Sequence, residues 1–231
     1  DGLWTPRTHP PRHRAWRERR ACVGELVQAD GSLHRWFEDR GPACVLLAFI
    51  EDATSAVPYG VFVESECTTT LMQAAWVYVA QEGRPVALYV DKDSIYRTNR
   101  EATIEEQFRQ VQPETQFARA MRELGIKVIH AHSPQAKGRV ERLFGTFQDR
   151  LVKELRLRRI STIASANRLL WTSYLADHNR RFAVVPANPT NVHRPLLKTH
   201  DLAAIFSVQD IRQVRQDFTV QWQGQWLQLE R

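Results

Sequence analysis

Three carboxylates stand where an acid could act rather than merely solvate. Asp30 closes the segment Glu25-Leu26-Val27-Gln28-Ala29, Asp91 closes the apolar segment Pro85 to Val90, and Glu141 falls near the start of an amphipathic stretch. Phosphodiester cleavage needs a hard divalent cation to activate the attacking oxygen and a second to stabilise the leaving one, and carboxylates are the ligands that Mg²⁺ accepts. Two strand-end acids with a helical Glu packed across them would supply that set. Asp30, Asp91 and Glu141 are therefore the candidate catalytic residues and the candidate ligands for two Mg²⁺ (or Mn²⁺) ions. Taken singly, each has a plainer reading, since Asp is an ordinary turn residue and a Glu in a first turn suits the helix dipole. Asp93 rivals Asp91, which is preferred because it directly terminates the strand. Asp52 follows the second strand in a turn and reads as structural.

Lys137, Arg139 and Arg142 surround Glu141, and Gly138 allows a close backbone approach, which suits a DNA backbone running past the acids. The alternative is a solvated basic helix face. His130 and His132 share one face of a strand, but imidazole has little place in Mg²⁺ chemistry, so polar packing is the preferred reading. Cys22, Cys44 and Cys67 form no C-x-x-C pair, which argues against a zinc knuckle and a disulfide framework. Of the tryptophans, only Trp4 and Trp16 lie among arginines, where they could stack on bases.

The elements that must position these residues follow from periodicity. Glu25 to Asp30, Cys44 to Ile50 and Tyr59 to Val63 read as three strands of an antiparallel meander, turned at Asp39 to Pro42 and at Pro58. Residues 68 to 82 read as a helix capped by Thr68 or Thr69 and stopped by Gly83. Pro85 to Val90 is a fourth strand, parallel to a neighbour through a right-handed crossover. A short helix ends at Gly125, Lys127 to Ala131 is a fifth strand, a long helix follows Ser133-Pro134, and another spans about Thr162 to Phe182. The order β-β-β-α-β-α-β-α-α describes a mixed five-stranded sheet, three strands antiparallel and two parallel, with flanking helices. That is the plan of the ribonuclease H-like α/β fold. Past Pro186 the chain loosens, then Phe218 to Val220 and Trp226 to Leu229 flank Gly224 like the first hairpin of a small β domain. The expected domains are a basic arm over 1–20, the core over 21–185, and a linker with a partial β domain over 186–231.

Charge is unevenly spread along the 231 residues, whose net charge is +6. Residues 1–20 carry six Arg against two acids, residues 21–136 carry ten basic and sixteen acidic groups, and residues 137–159 carry eight basic and three acidic. Basic flanks around an acidic middle suit a protein whose arms neutralise phosphates while its centre gathers carboxylates. With 43% hydrophobic and 25% charged residues, the chain has a globular composition, and no apolar run reaches the length of a membrane span. No charged-then-apolar start suggests a signal peptide, so the expected location is cytoplasmic. The absence of an initial Met suggests a fragment.

Several segments resemble insertion-sequence transposases with a retroviral-integrase-like core, the family that uses an Asp, Asp, Glu triad. Glu25-Leu26-Val27-Gln28-Ala29-Asp30-Gly31-Ser32 is similar to the segment with the first acid, Ala87-Leu88-Tyr89-Val90-Asp91 to the second, and Ser133 to Arg142 to the third. With Trp36-Phe37 and Ile50 to Ser55, the resemblance is closest to the bacterial ISNCY group and covers about residues 21 to 185. It implies metal-dependent hydrolysis at transposon ends, strand transfer into target DNA, a homo-oligomer acting on paired ends, a nucleoid-associated location, and a DNA-binding domain preceding Asp1. Asp91 is followed by Lys92-Asp93 where many integrase-like enzymes have Asn-Gly. The 49 residues between Asp91 and Glu141 exceed their usual spacing, with the excess in the polar stretch 94–113, where an insertion costs little. A ribonuclease H-like nuclease without strand transfer and an inactive, domesticated DNA-binding transposase are the alternatives.

Overall fold

The structure is a computed structural model that describes residues 18–91, 98, 113–130 and 138–230. Two acid-bearing strands lie at the centre of one sheet. β1 (Leu26–His34) pairs antiparallel with β2 (Cys44–Glu51), which pairs antiparallel with β3 (Tyr59–Val63); on its other side β1 runs parallel to β4 (Ala87–Val90), and β4 parallel to β5 (Lys127–His130). The sheet order is therefore β3-β2-β1-β4-β5, the expected mixture of three antiparallel and two parallel strands.

Helices cover both faces. α1 (Thr68–Glu82) and α2 (Gln116–Glu123) pack on one face, where Val27, Leu47, Phe49, Tyr78, Leu88 and Phe117 form a closed core. α3 (Gly138–Leu157), α4 (Ile163–Leu169) and α5 (Leu175–Phe182) cover the other, burying Leu46, Ile50, Phe62, Phe147 and Leu151. Burial of each such side chain contributes about 1.5–3 kcal/mol, which is why β2, apolar at nearly every position, is buried throughout.

Four expectations need correction. β1 does not end at Asp30: it continues to His34, pairing Gly31 with Leu47 and His34 with Cys44. Gly31 lies inside the strand, where the Glu66 carboxylate sits in the space a Cβ would take. The N-cap of α1 is Cys67, whose N–H donates to Thr70 Oγ1 at 3.0 Å, rather than Thr68 or Thr69. The helix expected over 162–182 contains a π turn, Leu170–Tyr174, between α4 and α5. Past Pro186 the chain does not loosen at once: Val23 bridges to Asn191 and Arg84 to Arg194, and a short helix α6 (Leu202–Ile205) brings Ile205 and Phe206 into the first core. β6 (Thr219–Trp222) and β7 (Gln225–Gln228) then form the expected hairpin.

Candidate active site

The two aspartates follow neighbouring parallel strands. Leu26 pairs with Ala87 and Gln28 with Tyr89, the last β1–β4 pair, and Asp30 and Asp91 each lie two residues past it. Neighbouring strands lie about 4.8 Å apart. Asp30 pairs with Ala48, whose side chain belongs to the core under α3, so Asp30 faces α3 as well. Tyr89 is in register with Gln28 on that same face, and Asp91, two residues on, follows it. Beyond Gln28 no β4 residue pairs with β1, so the acids sit where the two strands part. Both are half-buried, and Asp30 Oδ1 accepts from the Gly31 N–H at 3.1 Å.

Glu141 lies in the first turn of α3 and is exposed. The crossing of α3 over β1 is set by Gln148, whose Nε2 donates to Ser32 Oγ at 3.1 Å. Seven residues are nearly two helical turns, so Glu141 shares the edge of α3 that carries Gln148 and precedes it by about 10 Å. Arg139, at the start of α3, reaches Asp52, which also binds Gln28 of β1; the helix therefore runs in the same direction as β1. Going back from Ser32 along that direction leads to Asp30. Asp30, inside β1, and Glu141, in the first turn of α3, thus lie on the same face of the sheet, and Asp91 follows β4. They are not gathered into a single metal-holding group: among the described residues no three His, Cys, Asp or Glu side chains converge in that way. The oxygen donors of Asp30 and Asp91 have the chemistry that a hard cation accepts, with Glu141 on the neighbouring helix.

Arg139, expected as a DNA contact, pairs with a carboxylate at the sheet. Its Nη1 donates to Asp52 Oδ1 at 2.6 Å, and Asp52 is fully buried. Gln28 Nε2 at 2.8 Å and the Arg20 N–H at 2.9 Å also donate to that carboxylate. A buried carboxylate needs such compensation, and Arg139 supplies the charge. Arg142 is exposed. Burial, and then the nearby charge of Arg139, lower the Arg19 pKa, with Asp52 opposing and Arg142 adding to the effect. The end of the basic segment thus lies beside the start of α3. His130 Nδ1 stands 3.4 Å from the Asp91 carbonyl oxygen. Asp93, His132, Lys137, Trp4 and Trp16 lie outside the described residues. The three cysteines are free thiols.

Sequence reading missed the pairing of Ser32 with Gln148, and it missed Glu66. The edge that Glu141 shares with Gln148 is visible in helical spacing, but its partner on β1 is not. Glu66 gave no signal, because it belongs to no periodic element.

A Sinorhizobium fredii protein named among the transposases, y4bF, is 42% identical over 230 residues, 99% of this chain and 49% of that protein. The transposase of insertion sequence IS1202 from Streptococcus pneumoniae is 34% identical over 169 residues, 72% of this chain and 34% of that protein. The chain therefore spans half or less of the length of these two relatives. No family model matches it. Among solved structures, the intasome of simian T-cell lymphotropic virus in complex with PP2A regulatory subunit B56 gamma shares the fold, with a TM-score of 0.50 at 19% identity over 67% of this chain and 50% of that one. Similar in sequence to transposases along nearly its whole length, and built on a ribonuclease H-like sheet with the order of an integrase core, the chain belongs to the insertion-sequence transposases with a retroviral-integrase-like core.

Proposed function

We propose that this chain is the catalytic core of a DNA transposase. It would hydrolyse a phosphodiester at a transposon end and then direct the freed 3′ hydroxyl at a phosphodiester of target DNA. The observation that supports the reading is that Asp30 and Asp91 each follow by two residues the last pair of the parallel strands β1 and β4, Gln28 with Tyr89, while Gln148, on the edge of α3 that bears Glu141, bonds Ser32 of β1. Asp30 and Asp91 would hold Mg²⁺ or Mn²⁺ ions, and Glu141 would complete the ligand set. When bound, two such ions supply an activated attacking oxygen and a stabilised leaving oxygen. Lys137 and Arg142 orient the phosphate backbone, while Arg139 fixes the first turn of α3 against the sheet through Asp52.

Within this reading, residues 1–20 are a phosphate-binding arm, 21–185 the core and 186–231 a strap and hairpin. The working form is a homo-oligomer on paired ends. A nuclease without strand transfer would give nicked products and no joined ones, and an inactive DNA-binding relative would give neither.

The test is nicking of supercoiled plasmid in Mn²⁺ by the full chain. Asp30→Asn, Asp91→Asn and Glu141→Gln should each remove nicking by at least two orders of magnitude. DNA binding in EDTA should hold level, because each exchange removes a negative charge near phosphate. Wild-type nicking by any of the three would refute the triad. A loss of thermal stability in Glu141→Gln equal to that of Leu143→Ala would make the Glu structural.

A further inference from the structure

α3 is held against the sheet by two polar contacts, one on each edge of its buried stripe. Val140, Phe147 and Leu151 are buried between the helix and the sheet. At about 100° per residue, Arg139 and Glu141 stand on either side of Val140, and Gln148 falls on the Glu141 side. The contact on that side is Gln148 with Ser32 of β1. On the other side stands Asp52, which directly follows β2; its Oδ1 accepts from Arg139 Nη1 at 2.6 Å and from Gln28 Nε2 of β1 at 2.8 Å.

The two contacts match in span. Arg139 to Gln148 rises about 13.5 Å along a helix, and Gln28 to Ser32 about 13 Å along a strand. α3 is therefore fixed along β1 at both ends of a span that contains Glu141 on the helix and Asp30 on the strand. The apolar stripe alone would not fix it, because apolar burial is non-directional and lets a helix roll or slide. The contact at Asp52 is the stronger of the two, since it joins a cation to a fully buried carboxylate, and charge-assisted hydrogen bonds are about twice as strong as neutral ones. Oδ2 of the same carboxylate accepts the Arg20 N–H at 2.9 Å, and Arg19 Nη1 donates to the Asp52 carbonyl at 3.2 Å. Asp52 is thus held from the chain before β1 as well, and serves as a fixed anchor for the helix. For stability alone, apolar residues of similar volume serve as well as a buried ion pair. What the pair adds is direction and a fixed length.

We propose that Asp52, outside the acid set, is a positioning residue for the proposed reaction: it fixes the first turn of α3 along β1, and so fixes Glu141 relative to Asp30 and to the cations they would hold. The inference rests on the catalytic-core reading and adds to it a residue that acts through Arg139 and Gln28.

The test is Asp52→Asn in the full chain, read as the Mn²⁺ concentration that gives half-maximal nicking of supercoiled plasmid and, without DNA, as Mn²⁺ affinity by titration calorimetry. The exchange keeps the shape and removes the charge that orients Arg139. Both readings should weaken about tenfold or more, the usual loss when a residue that orients a metal ligand is changed, while DNA binding in EDTA holds level. Because Asp52→Asn strands the Arg139 charge and lowers stability, the double variant Asp52→Asn with Arg139→Gln is measured beside it. No charge is stranded there, so the melting temperature should return toward wild type while the Mn²⁺ requirement stays raised. Phe206→Ala, a loss of stability in the core of the opposite face, should leave the Mn²⁺ requirement unchanged. If the Mn²⁺ requirement of the double variant returns with its stability, or moves in neither variant while wild type nicks, Asp52 serves the fold alone and the inference is overturned. If wild type does not nick, the catalytic-core reading fails and this role falls with it.

Discussion

Glu51 and Asp52 are adjacent, buried and differently compensated. Asp52 has a cation in Arg139, whereas Glu51 faces His193, with His193 Nε2 3.4 Å from Glu51 Oε1 and 2.7 Å from the Tyr78 hydroxyl. Burial raises the Glu51 pKa to about 7, against the lowering effect of the Gly24 N–H and of Tyr78, with Glu82 and Asp52 pushing further upward. From its ordinary value of 4.5 up to about 7, the folded chain holds a proton that the unfolded chain has released. Stability contributed here therefore falls as pH rises through that window and stays low above it. Burial lowers the His193 pKa, and its contribution has the opposite sign, lost as pH falls through the ordinary His range. Glu51→Gln should stabilise the protein by about 2–3 kcal/mol at pH 8 and by little at pH 5, read from melting temperatures at the two pH values. An equal shift at both would show that Glu51 does not titrate in this window. None of this is legible in the sequence, because Glu51 and Asp52 look like one solvated turn. Asp91 stood out in the sequence because it follows an apolar strand, a local pattern, whereas Asp30, expected at a strand end, lies inside β1.

At the scale of elements, the free edge of β3 is closed by side chains. Asn167 on α4 takes the Phe62 N–H at 2.7 Å and donates to its carbonyl at 3.0 Å; Asn179 on α5 does the same for Val57 at 2.8 and 3.0 Å. Trp171 in the π turn donates from Nε1 to the Gly60 carbonyl at 2.8 Å. An exposed strand edge is a template for pairing with another chain, and these amides take the place of a sixth strand. Asn167→Leu would leave two buried backbone groups unpaired, so it should cost about 2–4 kcal/mol in urea unfolding and promote aggregation. A change below about 0.5 kcal/mol would mean that water serves the edge equally well. Strand periods and Gly stops make β3, α1 and α2 readable within a residue or two. The π turn is not readable, since the helical period runs through it without a break and the contact that Trp171 makes from it, to Gly60, lies 111 residues away in sequence.

Across the whole molecule, the order of the sheet was legible because a meander followed by two crossovers leaves few arrangements. The return of the chain after Pro186 was not, since its prolines and polar residues carry no period and its order comes from distant contacts. Arg119 on α2 donates from Nη2 to the carbonyls of Ile205 and Ser207 at 3.0 and 2.6 Å. Phe206 is 8% exposed and stacks on Trp76, with centroids 6.2 Å apart. The Asp201 carboxylate caps α6 through the Ala203 and Ala204 N–H groups at 3.0 and 3.2 Å. A helix of four residues has almost no stability of its own, so packing against α1 and α2 must hold it in place. Removing the Phe206 ring would empty a site lined by rigid elements, and Phe206→Ala should therefore cost about 3 kcal/mol. Urea unfolding followed by far-ultraviolet circular dichroism should show one transition moved to lower urea with its slope unchanged. If residues 186–206 were instead a linker, the midpoint would stay where it is, or a separate early transition would melt the strap alone while the sheet kept its stability.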